Sequence, residues 1–210
     1  GQDTITYEML KHLPRSCLQI LLQFFNACWS KGIILQSWKE SLILPAAKPN
    51  ADRSLPKSYR PISLTSTLCK VFERMVANRL SWYIEKNNLF NESQSGFRKY
   101  RSTIDQLIRL SDTITKSLNN KQHTLACFLD FSSAFDLVWK EGLLYKLRKL
   151  GIGGNMHRWI CDFLTGRSIR VKVDGQVSDQ FPLENGTPQG SVISPLLFLI
   201  MINDIPTINT

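Results

Sequence analysis

The run "HTLACFLD", His123 to Asp130, is almost continuously apolar and stops at an acid. A strand covered on both faces reads this way, because neither side needs polar residues. The run therefore predicts a buried strand with Asp130 projecting from the sheet edge.

The pattern on either side of it is helical. Upstream, Leu10, Leu13, Leu18, Leu21, Leu22, Phe25 and Cys28 recur at helix-like spacing from Met9 to Trp29. Pro14 is placed to kink or restart that helix, and Gly32 to stop it. "SLILPAAKP" reads as a short strand, and "NADRSLPK" (Asn50 to Lys57) as an exposed loop. Leu68, Val71, Phe72, Met75, Val76, Leu80, Tyr83 and Ile84 trace one face of a long amphipathic helix, with Lys70, Arg74, Asn78 and Arg79 on the other. Ser102 and Asp105 form a capping-box pattern before Leu107, Ile108 and Ile114. Downstream, Lys140 to Leu150 and Met156 to Leu164 read as helices ended by Gly151 and Gly166. "SIRVKVDGQVSDQFPL" alternates with period two around Asp174-Gly175, a hairpin with a two-residue turn. "PQGSVISPLLFLIMIND" is a turn followed by an apolar helix. The sum is an α+β domain.

Composition narrows the function classes. The 210 residues are 43% hydrophobic and 20% charged, which is globular composition and excludes disorder and collagen-like repeats. The apolar run Val192 to Ile202 is too short for a bilayer, which takes about 20 apolar residues. No signal-peptide pattern opens the chain. A net charge of +9 favours polyanionic partners, nucleic acid first. The five cysteines are widely separated with no C-x-x-C pair, so reduced, buried thiols are expected rather than disulfides or zinc. The three histidines are too scattered for a metal cluster. The start at Gly1-Gln2-Asp3 and the loop-like Ile205-Pro206-Thr207 lead us to expect that both ends are cut from something longer.

Several residues could carry chemistry. Asp130 is placed to hold a divalent cation by oxygen ligands, or, more plainly, to cap the following helix. Two-metal nucleotidyl transfer needs a second carboxylate from elsewhere in the chain. "GTPQGS" would present backbone N–H groups and the Gln189 amide to a ligand, or simply turn the chain. Lys48 and Arg60 flank an exposed loop, as in a flap over phosphates: Arg60 can grip bidentately and Lys48 act as a point charge. A solvated surface loop accounts for the same pair. "GFRKYRST" interleaves Arg98, Lys99 and Arg101 with Phe97 and Tyr100, a mixture suited to nucleic-acid backbone and stacked bases, or to a charged helix entry.

Taken together, "LILPAAKP…YRPISLTSTLCKVFERMVANRL", "NESQSGFRKYRSTIDQL", "FLDFSSAFDLVWKEGLLYKLRKLGI" and "NGTPQGSVISPLLFLIMINDIP" resemble the reverse transcriptases of non-LTR (LINE-type) retrotransposons, in one order along essentially the whole chain. The resemblance implies a right-hand polymerase with fingers over about 1–122 and an incomplete palm over about 123–210, the thumb being absent. It implies Asp130 as a catalytic, metal-binding aspartate, with the Phe131 carbonyl as a further metal contact. Phe135 would lie under the sugar of the incoming nucleotide, excluding a 2′-OH. Gln189 and Gly190 would contact nucleotide and template, Lys48 and Arg60 would hold the triphosphate, and Arg98 and Arg101 would bind template. The implied cofactor is Mg²⁺, with Mn²⁺ as substitute. The implied partners are an RNA template, a DNA primer and dNTPs, with no membrane, inside the cell in nucleus and cytoplasm.

One departure stands out. The family's second catalytic element is a pair of adjacent aspartates on a hairpin downstream of "NDIP", and these residues contain no Asp-Asp pair. Asn203-Asp204 precedes that hairpin and is not it. The chain by itself is therefore expected to be inactive and to leave the helix "SPLLFLIMI" exposed. A nucleic-acid-binding remnant and a non-functional fragment are the other two readings.

Overall fold

The first helical stretch is broken where proline forbids an interior N–H. The computed structural model describes residues 3–207. In it, α1 (Tyr7–Lys11) is capped by Thr6, whose hydroxyl accepts from the Met9 N–H at 3.2 Å. Helix α2 (Arg15–Lys31) restarts directly after Pro14 and ends at Gly32, at φ +68°. A side chain there would be doubly excluded, since a Cβ would fall 2.6 Å from that of Arg158. A single-turn α3 (Gln36–Lys39) leads into β1 (Glu40–Ala47). The remaining elements are β2 (Tyr59–Leu64), α4 (Thr67–Lys86), α5 (Thr103–Asn119), α6 (Lys140–Lys149), α7 (Gly154–Leu164), β3 (Ser168–Val173), β4 (Gln176–Val177), β5 (Phe181–Pro182) and α8 (Ser194–Ile202).

One sheet runs in the order β2-β1-β3-β4, with β5 also beside β3. Strands β1 and β2 are antiparallel, Ile43 opposite Ser63. Strands β1 and β3 are parallel, Ile43 opposite Val171. The β3–β4 turn carries positive φ at both Asp174 (+49°) and Gly175 (+82°), the conformation a two-residue hairpin turn demands. Through β1 and β3, the ranges 1–122 and 123–210 both contribute strands to this sheet.

Helices α2, α4, α6, α7 and α8 share one core. Phe25 stacks on Phe72 at 4.9 Å, Phe72 meets the edge of Trp159 at 5.3 Å, and Trp159 stacks on Phe163 at 5.3 Å. Asp162 on α7 pins the α2–α3 connection to this core: it accepts from the Ile34 N–H at 2.7 Å and from Lys39 Nζ at 2.8 Å.

Four expectations are corrected. Residues 123–130 form no strand and lie exposed, Leu125 at 98% and Phe128 at 83%. A strand needs a neighbour that returns its N–H and C=O bonds, and none of the five described strands pairs with this segment. The reverse holds for α8, expected to be bare: Leu197, Leu199 and Ile200 are buried in the shared core. The uncovered apolar surface lies instead on 125–131 and on α5, where Ile104, Leu107, Ile108 and Leu118 face outward. "YRPISL", read only as the flank of a loop, is strand β2. Finally, Cys28 and Cys69 are buried as expected, but Cys17 and Cys127 are exposed. Burial pushes the thiol pKa of both buried cysteines up.

Candidate functional site

The turn Gly186–Ser191 is fastened on three sides. The Gly186 N–H donates to the Val138 carbonyl at 2.9 Å, and the Thr187 N–H to that of Phe135 at 2.8 Å. Gly186 sits at φ +82° so close to the 135–138 segment that a Cβ would lie 2.5 Å from the Asp136 carbonyl oxygen. On the second side, the Ser63 N–H of β2 donates to the Gln189 carbonyl at 3.1 Å. Gly190, at φ +104°, packs so tightly there that a Cβ would be 2.9 Å from the Ser63 oxygen. Only glycine combines that conformation with that approach. On the third side, buried Glu73 of α4 accepts from the Ser191 hydroxyl at 2.5 Å. The Gln189 amide donates to the Asp136 carboxylate at 2.7 Å.

Behind this turn, against the sheet, is a cavity of about 320 Å³ lined by Ser41, Ile43, Ser63, Asp136, Arg167 and Gln189 among others. Arg167 is buried. Its guanidinium donates to the carbonyls of Phe163 (3.0 Å) and Trp38 (3.4 Å) and lies over the Phe163 ring at 4.9 Å. Burial pushes its pKa down, and the nearby Cys69 and Glu73 push it back up. Lys140 Nζ donates to the Leu183 carbonyl at 2.6 Å. Burial lowers its pKa, helped by Arg167 and opposed by Glu141 and Glu184.

Lys48 and Arg60 lie at the loop end of the β1–β2 hairpin, just beyond the pair Ala47–Tyr59 and opposite Ala46 respectively. The Lys48 N–H donates to the Ser58 carbonyl and its Nζ to that of Lys57, both at 2.8 Å. Both side chains are exposed, so this end of the hairpin carries two cations into solvent.

Asp130 is exposed in the irregular segment, and the Phe131 ring reaches the edge of Phe198 on α8 at 6.3 Å. Phe135 is half-buried against the same ring at 5.3 Å, so it packs on α8. The Asp130 carboxylate and Phe131 carbonyl are hard oxygen donors of the kind Mg²⁺ prefers. They fit in kind but not in number: among the described residues no three His, Cys, Asp or Glu side chains gather at a metal-holding distance.

The basic element divides. Arg98 faces inward: it grips both carboxylate oxygens of Glu85 (2.9 and 2.6 Å), donates to the carbonyls of Asn91 and Gln94, and lies over Phe90 at 5.2 Å. These partners hold the guanidinium within the protein, with the side chain 10% exposed. Arg101 is exposed. So are Lys99 and Phe97, which line a cleft of about 490 Å³ with Arg74, Asn78 and Ser81 of α4 and with Ser191.

Sequence reasoning missed Glu73 and the use of Arg74. A signal for Glu73 existed: it interrupts the buried stripe Cys69, Val76, Leu80, Ile84 on α4, where a carboxylate is costly unless hydrogen-bond donors satisfy it.

Against known families, residues 46–209 match the one described as reverse transcriptase (RNA-dependent DNA polymerase). A probable RNA-directed DNA polymerase from transposon BS of Drosophila melanogaster is 35% identical over all of this chain, which spans 23% of that protein. The RNA-directed DNA polymerase from mobile element jockey of the same organism is 34% identical over 99% of the chain and 22% of its own length. A retrovirus-related Pol polyprotein from the type-2 retrotransposable element R2DM is more distant, 26% identical over 97% of the chain and 18% of its own length. The chain thus spans less than a quarter of these curated relatives. With the four motifs in order and a family match over most of its length, this chain belongs to the reverse transcriptases of non-LTR retrotransposons.

Proposed function

We propose that these residues form the nucleotide- and template-facing part of an RNA-directed DNA polymerase. The primer 3′-OH attacks the α-phosphorus of a dNTP; a new P–O bond forms, the bond to pyrophosphate breaks, and the hydroxyl proton is lost. Residues of about 1–122 act as fingers, joined in their sheet by the β3–β5 ribbon, and the rest of 123–210 as a partial palm. Arg60 grips the triphosphate, Lys48 exchanges the Lys57 carbonyl for a phosphate oxygen, and Gln189 and Gly190 face the nucleotide. Phe135 limits room at the sugar, and Asp130 supplies one carboxylate of the reacting centre. RNA lies in the cleft of Arg74, Phe97 and Lys99, and Arg101 extends the same basic surface. The parent protein works inside the cell, in nucleus and cytoplasm.

The observation that carries this reading is the 186–191 turn, fastened both to the segment following Asp130 and to the strand bearing Arg60. The test is Mg²⁺-dependent dNTP incorporation on a primed RNA template by a full-length polymerase containing these residues. Asp130→Asn should reduce incorporation by about 10³-fold or more, the scale on which charge at a reacting centre acts. Incorporation unchanged by that substitution would remove Asp130, and the reading with it.

A further inference from the structure

Glu73 is 1% exposed in the middle of α4. Its Oε2 accepts from Ser191 Oγ at 2.5 Å, from the Val192 N–H at 2.7 Å and from the Ile193 N–H at 3.4 Å, while Oε1 accepts from Cys69 Sγ at 3.4 Å. The N-cap residue of helix α8, Ile193, has no capping oxygen of its own, and Ser191 Oγ accepts only long bonds from the Ile193 and Ser194 N–H groups, at 3.3 and 3.4 Å. A carboxylate from a helix more than a hundred positions earlier in the chain completes that cap and holds the Ser191 hydroxyl itself.

Packing alone does not call for this residue. An apolar side chain would continue the buried stripe at no desolvation cost, whereas a buried carboxylate is expensive unless hydrogen-bonded. The donors it satisfies belong to Ser191, Val192 and Ile193, which directly follow Gln189 and Gly190. Ser63 and Asp136 hold the tip of the turn, and Glu73 holds the leg on which the tip stands. The geometry points to Glu73 as a positioning residue: through Ser191 and Val192 it sets where Gln189 and Gly190 stand against the incoming nucleotide. This inference rests on the proposal that the turn faces the nucleotide.

The experiment is steady-state single-nucleotide addition by the full-length polymerase, with thermal melting of each variant. Gln189→Ala tests the underlying reading and should raise KM for dNTP about tenfold. Glu73→Gln keeps shape and one acceptor but sets an N–H₂ group among N–H donors; it should raise KM about five- to tenfold with kcat within about twofold. Ser191→Ala removes the bond to Glu73 and the two longer ones from the Ile193 and Ser194 N–H groups but leaves the Glu73 carboxylate in place. It should raise KM about two- to threefold, and it stands in if Glu73→Gln is too unstable to assay. Cys69→Ala, which contacts the same carboxylate but not the turn, should leave KM within twofold. If Gln189→Ala raises KM while Glu73→Gln and Ser191→Ala do not, the inference is overturned and the nucleotide-facing turn survives. An unchanged KM in Gln189→Ala overturns both. Lower melting temperature and kcat with KM unmoved would mark Glu73 as a helix cap and nothing more.

Discussion

A guanidinium answers to whichever anion reaches it in the right plane, and for Arg98 that anion is Glu85. The fork matches both carboxylate oxygens, two carbonyls take further donors, and the arginine side chain is only 10% exposed. Removing it leaves the Glu85 carboxylate and the Asn91 and Gln94 carbonyls without that partner. Arg98→Ala should therefore cost about 2–3 kcal/mol of stability, below the 3–5 kcal/mol of a fully buried pair because Glu85 is partly solvated. Urea titration checks the cost. RNA affinity of the folded variant, measured at low denaturant, should change less than twofold. A tenfold loss of affinity with unaltered stability would return Arg98 to the template-binding role the sequence suggested.

Whether an element can be read from sequence depends on whether its identity is local. Helices α2, α4, α6 and α7 announce themselves because each buries one face and solvates the other. Strand β2 does not: Pro61 and its flanking cations look like loop, and it is a strand only because β1 offers it a ladder. The segment 123–130 fails in the opposite sense, having strand composition but no described partner. Helix α8 is apolar all round, so no periodicity reveals which face is covered. The site divides the same way. Gln189 and Gly190 are candidates from turn chemistry, whereas the break that Glu73 makes in the apolar stripe of α4 marks it as unusual without naming its partners, residues 191–193. At this scale the 186–191 turn yields a prediction. Gly190→Ala adds a methyl at φ +104° and 2.9 Å from the Ser63 oxygen, so it should cost about 1–3 kcal/mol. Hydrogen exchange should show the Ser63 amide deprotected before the core amides of α4. If Ser63 stays as protected as those of α4, the turn is not anchored through β2.

The whole molecule carries +9 charges, and how they are paired decides what they do. Lys39, Arg98 and Lys146 are tied to Asp162, Glu85 and Asp204, while Arg74 and Lys99 line the open cleft without a described acidic partner. RNA binding should therefore be independent of sequence and fall steeply with salt. The double variant Arg74→Ala, Lys99→Ala should weaken binding uniformly and flatten the log–log salt slope by about 1.4, roughly 0.7 per lost contact on a single strand. Fluorescence anisotropy across a salt series reads both, and an unaltered slope would move the binding face elsewhere.

The parallel pairing of Glu40 with Ser168 sets a timetable. A ribosome making this chain delivers β1 and β2 early, but β1 has an unpaired edge until β3 has left the exit tunnel. Everything between, α4 to α7, must stay competent while that edge waits. Such non-local closure is slow compared with helix formation, and a half-synthesised chain holds both an open strand edge and uncovered apolar helix faces, the combination that invites aggregation. The nascent chain is thus at its most vulnerable in the interval between translating Leu64 and translating Val173, and it is there that a chaperone would have most to do.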